Sequence, residues 1–543
     1  MIIGIDLDNT IINYDKTFLN IALKKKIISE NKIISKEKLK QKIIKKKSIE
    51  QWKAIQGIAY GKNIYHSDIM KFFHDFIILS KIRKIKIYII SHKTKYGHYD
   101  KKKIQLRKKA TQFLISKKII NSDISPILKS NIYFCDTLDQ KISKIKELEC
   151  DFFIDDLYKV INNKNFPKQT TPILFNRSQT KIKYKKKIIN YSSWSEILNY
   201  FFKDLSKFEL KNIIEFKIKK KINSFRKHQG RLNSKIYKIT TQDKKKYSLK
   251  IYPNITHDKF NRIDAEFSAY KYLNQKLYYQ IPSPIYKLKY LNASLFTWID
   301  GNNRAPKNKK NLEQIIKFVI KLKNISTPSI FDNFNYAKEA VYDKKIILDD
   351  IQLRYKRLIS ISLKNKLEIE LKNFLENKFN YLYIRFKKKI INTNNKYLNI
   401  NKNNLILSPS DLGFNNIILK NKKLYFIDFE YFGLDDPVKL TSDFLWHPSN
   451  SLSDSLKQKW LNEMHKIFRQ DKNFKNRLNV YYYLYGIKWI LIILNIFDPI
   501  NKKRIFNAKS MNTKQYNINK KKQLKVAIQY YNKIITESKK NEI

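Results

Sequence analysis

The chain has 543 residues and a mass of 65.3 kDa, which at about 150 residues per domain implies several compact units. Its 43% hydrophobic and 14% aromatic content supplies large cores and excludes disorder as the main state, while two cysteines, Cys135 and Cys150, build neither a disulfide framework nor a zinc ribbon. The net charge of +64 points to a polyanion partner only weakly, because just 13 of the 111 basic residues are arginine and the lysines run along the whole chain.

That spread is what A+T-rich coding does to any protein, so no specific nucleic-acid partner is expected. A reducing, cytoplasmic setting is expected from the cysteine usage. The start, MIIGIDLDNT, lacks the basic and apolar regions of a secretion signal. Glycine is scarce, 9 residues where ordinary usage of ~7% gives roughly 38. Those retained, among them Gly4, Gly230, Gly301, Gly413 and Gly433, are expected where only glycine fits.

In chain order, Ile2 to Ile5, Ile85 to Ile90, Asn131 to Phe134 and Phe152 to Ile154 are short β-branched or aromatic runs separated by helical stretches. This is the rhythm of a Rossmann-like parallel sheet, in which ligands bind at the carboxyl ends of the strands. The residues ending those runs are Asp6, Ser91 and Asp155. Asp6 and Asp8 leave the first strand two residues apart, and two carboxylates in one pocket repel unless a cation joins them. Mg²⁺ with Asp155 and Asp156 completes such an oxygen shell.

Asp6-Leu7-Asp8-Asn9-Thr10, then Ser91, then a lysine, then Asp155-Asp156, resembles the haloacid dehalogenase superfamily of phosphatases. The resemblance implies that Asp6 takes the phosphoryl group and that Asp8 protonates the leaving oxygen and later activates water. It also implies that Ser91 and Lys141 bind the phosphoryl oxygens, with Lys144 the competing lysine, and that Asp6, Asp155 and Asp156 hold Mg²⁺. Residues from about 13 to 82 read as a small helical cap, which in this superfamily often selects the substrate. The first domain is expected over residues 1–204.

A second domain, residues 205–543, is expected to be a two-lobed α+β kinase-like unit. Lys227 to Ile251 reads as a glycine turn at Gly230 between alternating strands, with Lys250 in a β-run and Glu266 in the helical stretch that follows. A strand lysine paired with a helix glutamate orients the phosphates of ATP in kinase-like folds. Further on, Asp411 is followed by Asn416 five residues later and by Asp428 twelve residues after that. These motifs resemble the aminoglycoside phosphotransferase and choline kinase family, with Leu295 to Gly301, including Trp298, in the place of the hinge that meets adenine. By that resemblance Asp411 accepts the proton of the substrate hydroxyl, Asn416 and Asp428 hold Mg²⁺, and Gly230, Lys250, Glu266 and Trp298 bind ATP. Pro409 departs from the family, which usually has a supporting histidine there.

No Ala-Pro-Glu anchor follows Asp428, so the expected acceptor is a small hydroxylated molecule, a sugar or sugar phosphate. The fusion suggests a place in surface-polysaccharide metabolism. A nucleic-acid end-processing phosphatase and kinase is the rival reading, though Gly61-Lys62 lacks the rest of a P-loop. A nucleotide-binding scaffold with one inactive half is the third. The apolar stretch Tyr481 to Phe497 contains Gly486 and Lys488 and is expected to be a buried helix with no membrane span.

Overall fold

Six short strands form an all-parallel sheet in the first of two units, Met1–Lys220. The computed structural model describes residues 1–28, 36–99, 102–179, 188–228, 234–253, 260–277, 280–499 and 512–540. From edge to edge the strands are Ile132–Cys135, Lys86–His92, Ile2–Ile5, Phe152–Asp155, Thr171–Phe175 and Ile189–Tyr191. The first strand in sequence is thus an inner one, flanked by the second and the fourth. At such a reversal of strand order the loops part and leave a crevice at the carboxyl ends.

After the first strand comes an insertion that carries the helices Asp15–Lys24, Lys36–Lys46 and Ile49–Tyr60. Ile12–Asn13 pairs antiparallel with Asp68–Ile69 and closes this insertion. Its small core is aromatic, with Phe18 stacked on Trp52 at 4.9 Å and Tyr14 edge-on to Tyr60 at 4.8 Å. The insertion ends earlier than the expected residue 82. Helix Phe73–Ile82 packs instead on helix Trp194–Phe201, with Phe73 and Phe76 against Trp194 at 4.7 and 4.8 Å. The expected division after residue 204 likewise precedes one more helix of this unit, Lys207–Ile218, which is tied down by Glu209 to Arg83 at 2.7 Å and Lys217 to Asp75 at 2.5 Å.

The second unit, Lys221–Ile543, opens with a five-stranded antiparallel sheet. Its order is Pro284–Leu288, Ala293–Thr297, Lys246–Ile251, Lys235–Thr241, Ile222–His228. Helix Arg262–Leu277 packs on it through Tyr270 and Phe296, with ring centroids 5.2 Å apart. The rest is mostly helical and carries two short antiparallel pairs, Ile406–Ser408 with Gly433–Asp435 and Ile417–Lys420 with Lys423–Phe426. Helix Phe474–Leu494 is long and apolar enough to cross a membrane by length and composition. Here it forms core: Trp446 lies so close that a Cβ on Gly486 would sit 2.8 Å from its ring, and Lys488 is buried against Asp350 at 2.8 Å and Glu339 at 3.0 Å.

Gly4 lies in the inner strand of the parallel sheet, where a Cβ would come within 2.6 Å of the Phe153 ring and 3.0 Å of Cys150 Sγ. Overpacked cores lose about 1–3 kcal/mol. Gly4→Ala is therefore expected to lower the unfolding midpoint of the first unit in a denaturant titration. An unchanged midpoint would show that the sheet relaxes around the methyl group.

Candidate functional site

Two clusters of acidic side chains stand out, one in each unit. In the first, Asp6 sits at the carboxyl end of the inner strand, its backbone N–H bonded to Ile154 O at 2.8 Å. Asp6, Asp155 and Asp156 bring carboxylate oxygens within 4.8 Å of one another. Lys141, on helix Leu138–Glu147, bridges two of them, with Nζ 2.5 Å from Asp6 Oδ1 and 2.7 Å from Asp155 Oδ2. Lys144, three residues on, faces away and pairs with Glu147 at 2.6 Å, so the geometry favours Lys141 over its competitor.

Burial dominates the electrostatics here. It pushes the Asp6 carboxyl up to about 7 against the pull of Lys141, with Asp155 and Asp8 adding to the rise. Asp156 is raised well above its usual range by burial and by its two acidic neighbours. Lys36 and Lys141 pull the other way at Asp156 without offsetting the burial. Three crowded carboxylates fit a hard dication with oxygen ligands. Ser91 Oγ, Asn9 Oδ1 and Thr10 Oγ1 are buried and have no hydrogen-bond partner among the described residues.

Asp8 accepts from Tyr14 OH at 2.8 Å and from Lys93 Nζ at 2.8 and 3.0 Å. Sequence reasoning missed both donors. Lys93 carries no signal among so many lysines, and Tyr14 reaches Asp8 only because the chain turns at Asn9, whose φ is +66°.

In the second unit, Lys250 Nζ lies 2.7 Å from Glu266 Oε2 and 3.3 Å from Glu430 Oε2, and it also contacts the Asp428 carboxylate. Glu266 is held by Tyr252 OH at 2.6 Å, Tyr270 OH at 3.2 Å and the Phe429 N–H at 3.2 Å. Glu430, which the sequence reading left out, is held by Arg262 at 2.7 Å. Asp428 adopts φ +68°, a left-handed conformation unusual for a residue with a side chain, and this turns its carboxylate to the lysine. Burial pushes that carboxyl up to about 7, opposed by Lys250 and reinforced by Glu430 and Glu266.

Asn416, expected to hold a metal with Asp428, accepts at its backbone oxygen from the N–H of Ile427, the residue before Asp428, at 2.9 Å. Asn416 Nδ2 donates to Asp411, at 3.0 Å to Oδ2 and 3.1 Å to the backbone oxygen, and the Asp428 carboxylate groups with those of Glu266 and Glu430. Asp411 is also 3.1 Å from His447 Nε2. Burial raises its carboxyl, but the hydrogen bonds from His447 and Asn416 outweigh burial and hold it below the usual range. Trp298 has other company than the lysine cluster: its Nε1 donates to Asp300 at 3.1 Å, His228 meets its ring at 5.0 Å and Lys238 lies over it at 4.7 Å. Gly230 falls outside the described residues.

No family model matches the sequence, and no curated protein matches it. Among solved structures, the chain is similar to spectinomycin phosphotransferase in complex with ADP and spectinomycin, at 16% identity over 60% of this chain and 98% of that one, with a TM-score of 0.43. An ethanolamine kinase from Plasmodium vivax covers 66% of this chain and 97% of its own at 14% identity and a TM-score of 0.40. A choline kinase from Cryptosporidium parvum gives 64% and 96% at 12% identity and a TM-score of 0.36.

The raised Asp6 carboxyl has a sign that can be measured. A folded-state value near 7 means the native unit binds this proton more tightly than the unfolded chain, so its contribution to stability is lost as pH rises from about 4 through 7. In metal-free protein, Asp6→Asn is expected to flatten the fall in melting temperature between pH 5 and pH 8. Added Mg²⁺ should raise the native midpoint more at pH 8 than at pH 5, since ligands must be deprotonated. Parallel pH profiles for the two proteins would contradict this.

Proposed function

We propose that the chain is a bifunctional enzyme, with an ATP-dependent small-molecule phosphotransferase in the second unit and a phosphate-monoester phosphatase in the first. The observation that carries the reading is that each unit buries a lysine among carboxylates drawn from separate elements: Lys141 between Asp6 and Asp155, and Lys250 between Glu266 and Asp428. A buried ammonium beside an acidic cluster is suited to phosphoryl oxygens, whose charge it neutralises without water.

In the second unit the acceptor hydroxyl gives its proton to Asp411 as its oxygen bonds to the γ-phosphorus and the bond to ADP breaks. Lys250, oriented by Glu266, holds nucleotide phosphates. The donor set fits Mg²⁺ at Asp428, with Glu430 and Glu266 beside it, and the ion would supply charge neutralisation there. In the first unit an Asp6 oxygen attacks phosphorus and the ester bond breaks, its oxygen taking a proton from Asp8. Water then attacks the aspartyl phosphate, passes its proton back to Asp8 and frees phosphate and Asp6. Ser91 would bind the phosphoryl group together with Lys141, a role that its Oγ, lacking a partner among the described residues, supports.

The proposed acceptor is a sugar or sugar phosphate. An ATP-consumption screen against sugars, amino alcohols and oligonucleotides tests this. Selective turnover of oligonucleotide ends would instead put the end-processing reading first.

Because the two carboxylate sets belong to different units, the activities are expected to separate. Asp6→Asn should abolish phosphatase turnover and spare phosphorylation, and Asp411→Asn should do the reverse, each by roughly 10²-fold or more. Loss of both activities from one substitution in a folded protein would sink the two-site reading.

A fused pair acting on one phosphoryl group would only hydrolyse ATP. The two units are therefore expected to act on different positions of a shared intermediate. Purified kinase product given to the Asp411→Asn protein and followed by mass spectrometry should persist; regeneration of the unphosphorylated acceptor would show a futile or regulated cycle instead.

A further inference from the structure

His447 ends helix Pro437–Trp446 and begins the turn His447-Pro448-Ser449-Asn450. This turn grips the loop of Asp411 at several points. Asn450, buried, donates from Nδ2 to Leu412 O at 3.2 Å and accepts from the Phe414 N–H at 2.8 Å. Ser449 Oγ lies 2.7 Å from Asn415 Oδ1 and 2.7 Å from His447 Nδ1. His447 itself lies 3.1 Å from Asp411 Oδ1, the oxygen that Asn416 leaves alone.

The hydrogen bonding fixes which ring nitrogen carries the proton. The Ser449 backbone N–H, which can only donate, points at His447 Nδ1 from 3.0 Å. Nδ1 is therefore an acceptor, and the neutral ring keeps its proton on Nε2, facing Asp411. Trp489 holds the ring edge-on at 4.9 Å and is itself anchored by Nε1 to Asp443 at 2.9 Å. Pro409, two residues before Asp411, has no side-chain N–H to offer in its place.

We propose that His447 is a positioning residue for the phosphotransfer step, an N–H donor that with Asn416 fixes both oxygens of Asp411 and leaves each one lone pair for the acceptor hydroxyl. Asn416 alone would let the carboxylate swing about its χ2 bond; two donors on opposite oxygens stop that rotation. The inference rests on Asp411 being the proton acceptor.

The test measures ATP turnover with Mg²⁺, with water as acceptor and with the best acceptor from the screen, together with ATP KM and thermal unfolding of each variant. His447→Ala is expected to lower kcat by roughly 10- to 100-fold, the worth of a hydrogen bond to a charged group, with KM for ATP within about twofold. His447→Gln, which keeps an amide N–H of similar reach, should restore kcat to within a few-fold of native. In an Asp411→Asn background, His447→Ala should cost nothing further. Equal losses in the Ala and Gln variants, or kcat and KM moving together, would overturn the proposal, and the Gln variant decides the matter if the Ala variant unfolds. If Asp411→Asn is inactive while His447→Ala matches native kcat, the His447 role alone falls. If Asp411→Asn turns over at the native rate, the base assignment falls first and takes this one with it.

Discussion

A buried ammonium held by carboxylates is the interaction on which both units depend. Lys141 is 1% exposed, and its partner Asp155 is fully buried. Each ion taken out of water costs several kcal/mol, a cost offset only when geometry and further hydrogen bonds are good. The first unit meets that demand by bringing a helix lysine onto the ends of two adjacent parallel strands. The second meets it by closing a sheet, a helix and a loop around Lys250. Breaking such a pair by removing one partner typically costs about 3–5 kcal/mol, so the lysine fixes the strand ends as firmly as the carboxylates fix the lysine.

The same rule explains why the basic composition says so little. Lys93, Lys217, Lys439 and Lys488 are buried too, and each has an acidic partner: Asp8, Asp75, Asp435 with Asp443, and Glu339 with Asp350. Arg477 is buried between Asp436 and Asp471. Each of these buried cations thus has acidic residues set against it. What remains on the surface is a lysine excess with no such demand on its position.

Much of this was legible from local pattern. The strands are short β-branched runs, and Asp6, Ser91 and Asp155 fall at their ends because the chain must leave the sheet there. The choice between Lys141 and Lys144 was not legible, because three helical residues turn a side chain by about 300° and only the packing says which direction faces the sheet. His447 lies 36 residues from Asp411, and nothing in the spacing announces a turn that folds back on the loop. The motif spacing of Asp411 and Asn416 does not announce the hydrogen bond from the Asn416 amide to the Asp411 carboxylate, which forms only once the loop has folded. Scarcity was informative for glycine: at Gly301, φ is +152° and a Cβ would lie 2.6 Å from Leu419 O, a place no other residue fits well.

The signs of the carboxyl shifts sort the acidic groups into two kinds of chemistry. Asp6 and Asp428 are both pushed up to about 7, because burial and like charges outweigh one lysine. Such groups gain most from additional positive charge, which a dication or the cationic surroundings of a phosphoryl group supply. Asp411 is shifted the other way by donors that favour its ionised form. In the role proposed for it Asp411 receives a proton, so it has to be ionised before the reaction, and the cost of holding it so is lower basicity. The donors resolve that conflict only if they also set its direction, since a weaker base is effective when the acceptor proton is already within hydrogen-bond reach. Position therefore matters more than basicity at Asp411, whereas at Asp6 and Asp428 the missing charge matters more than position.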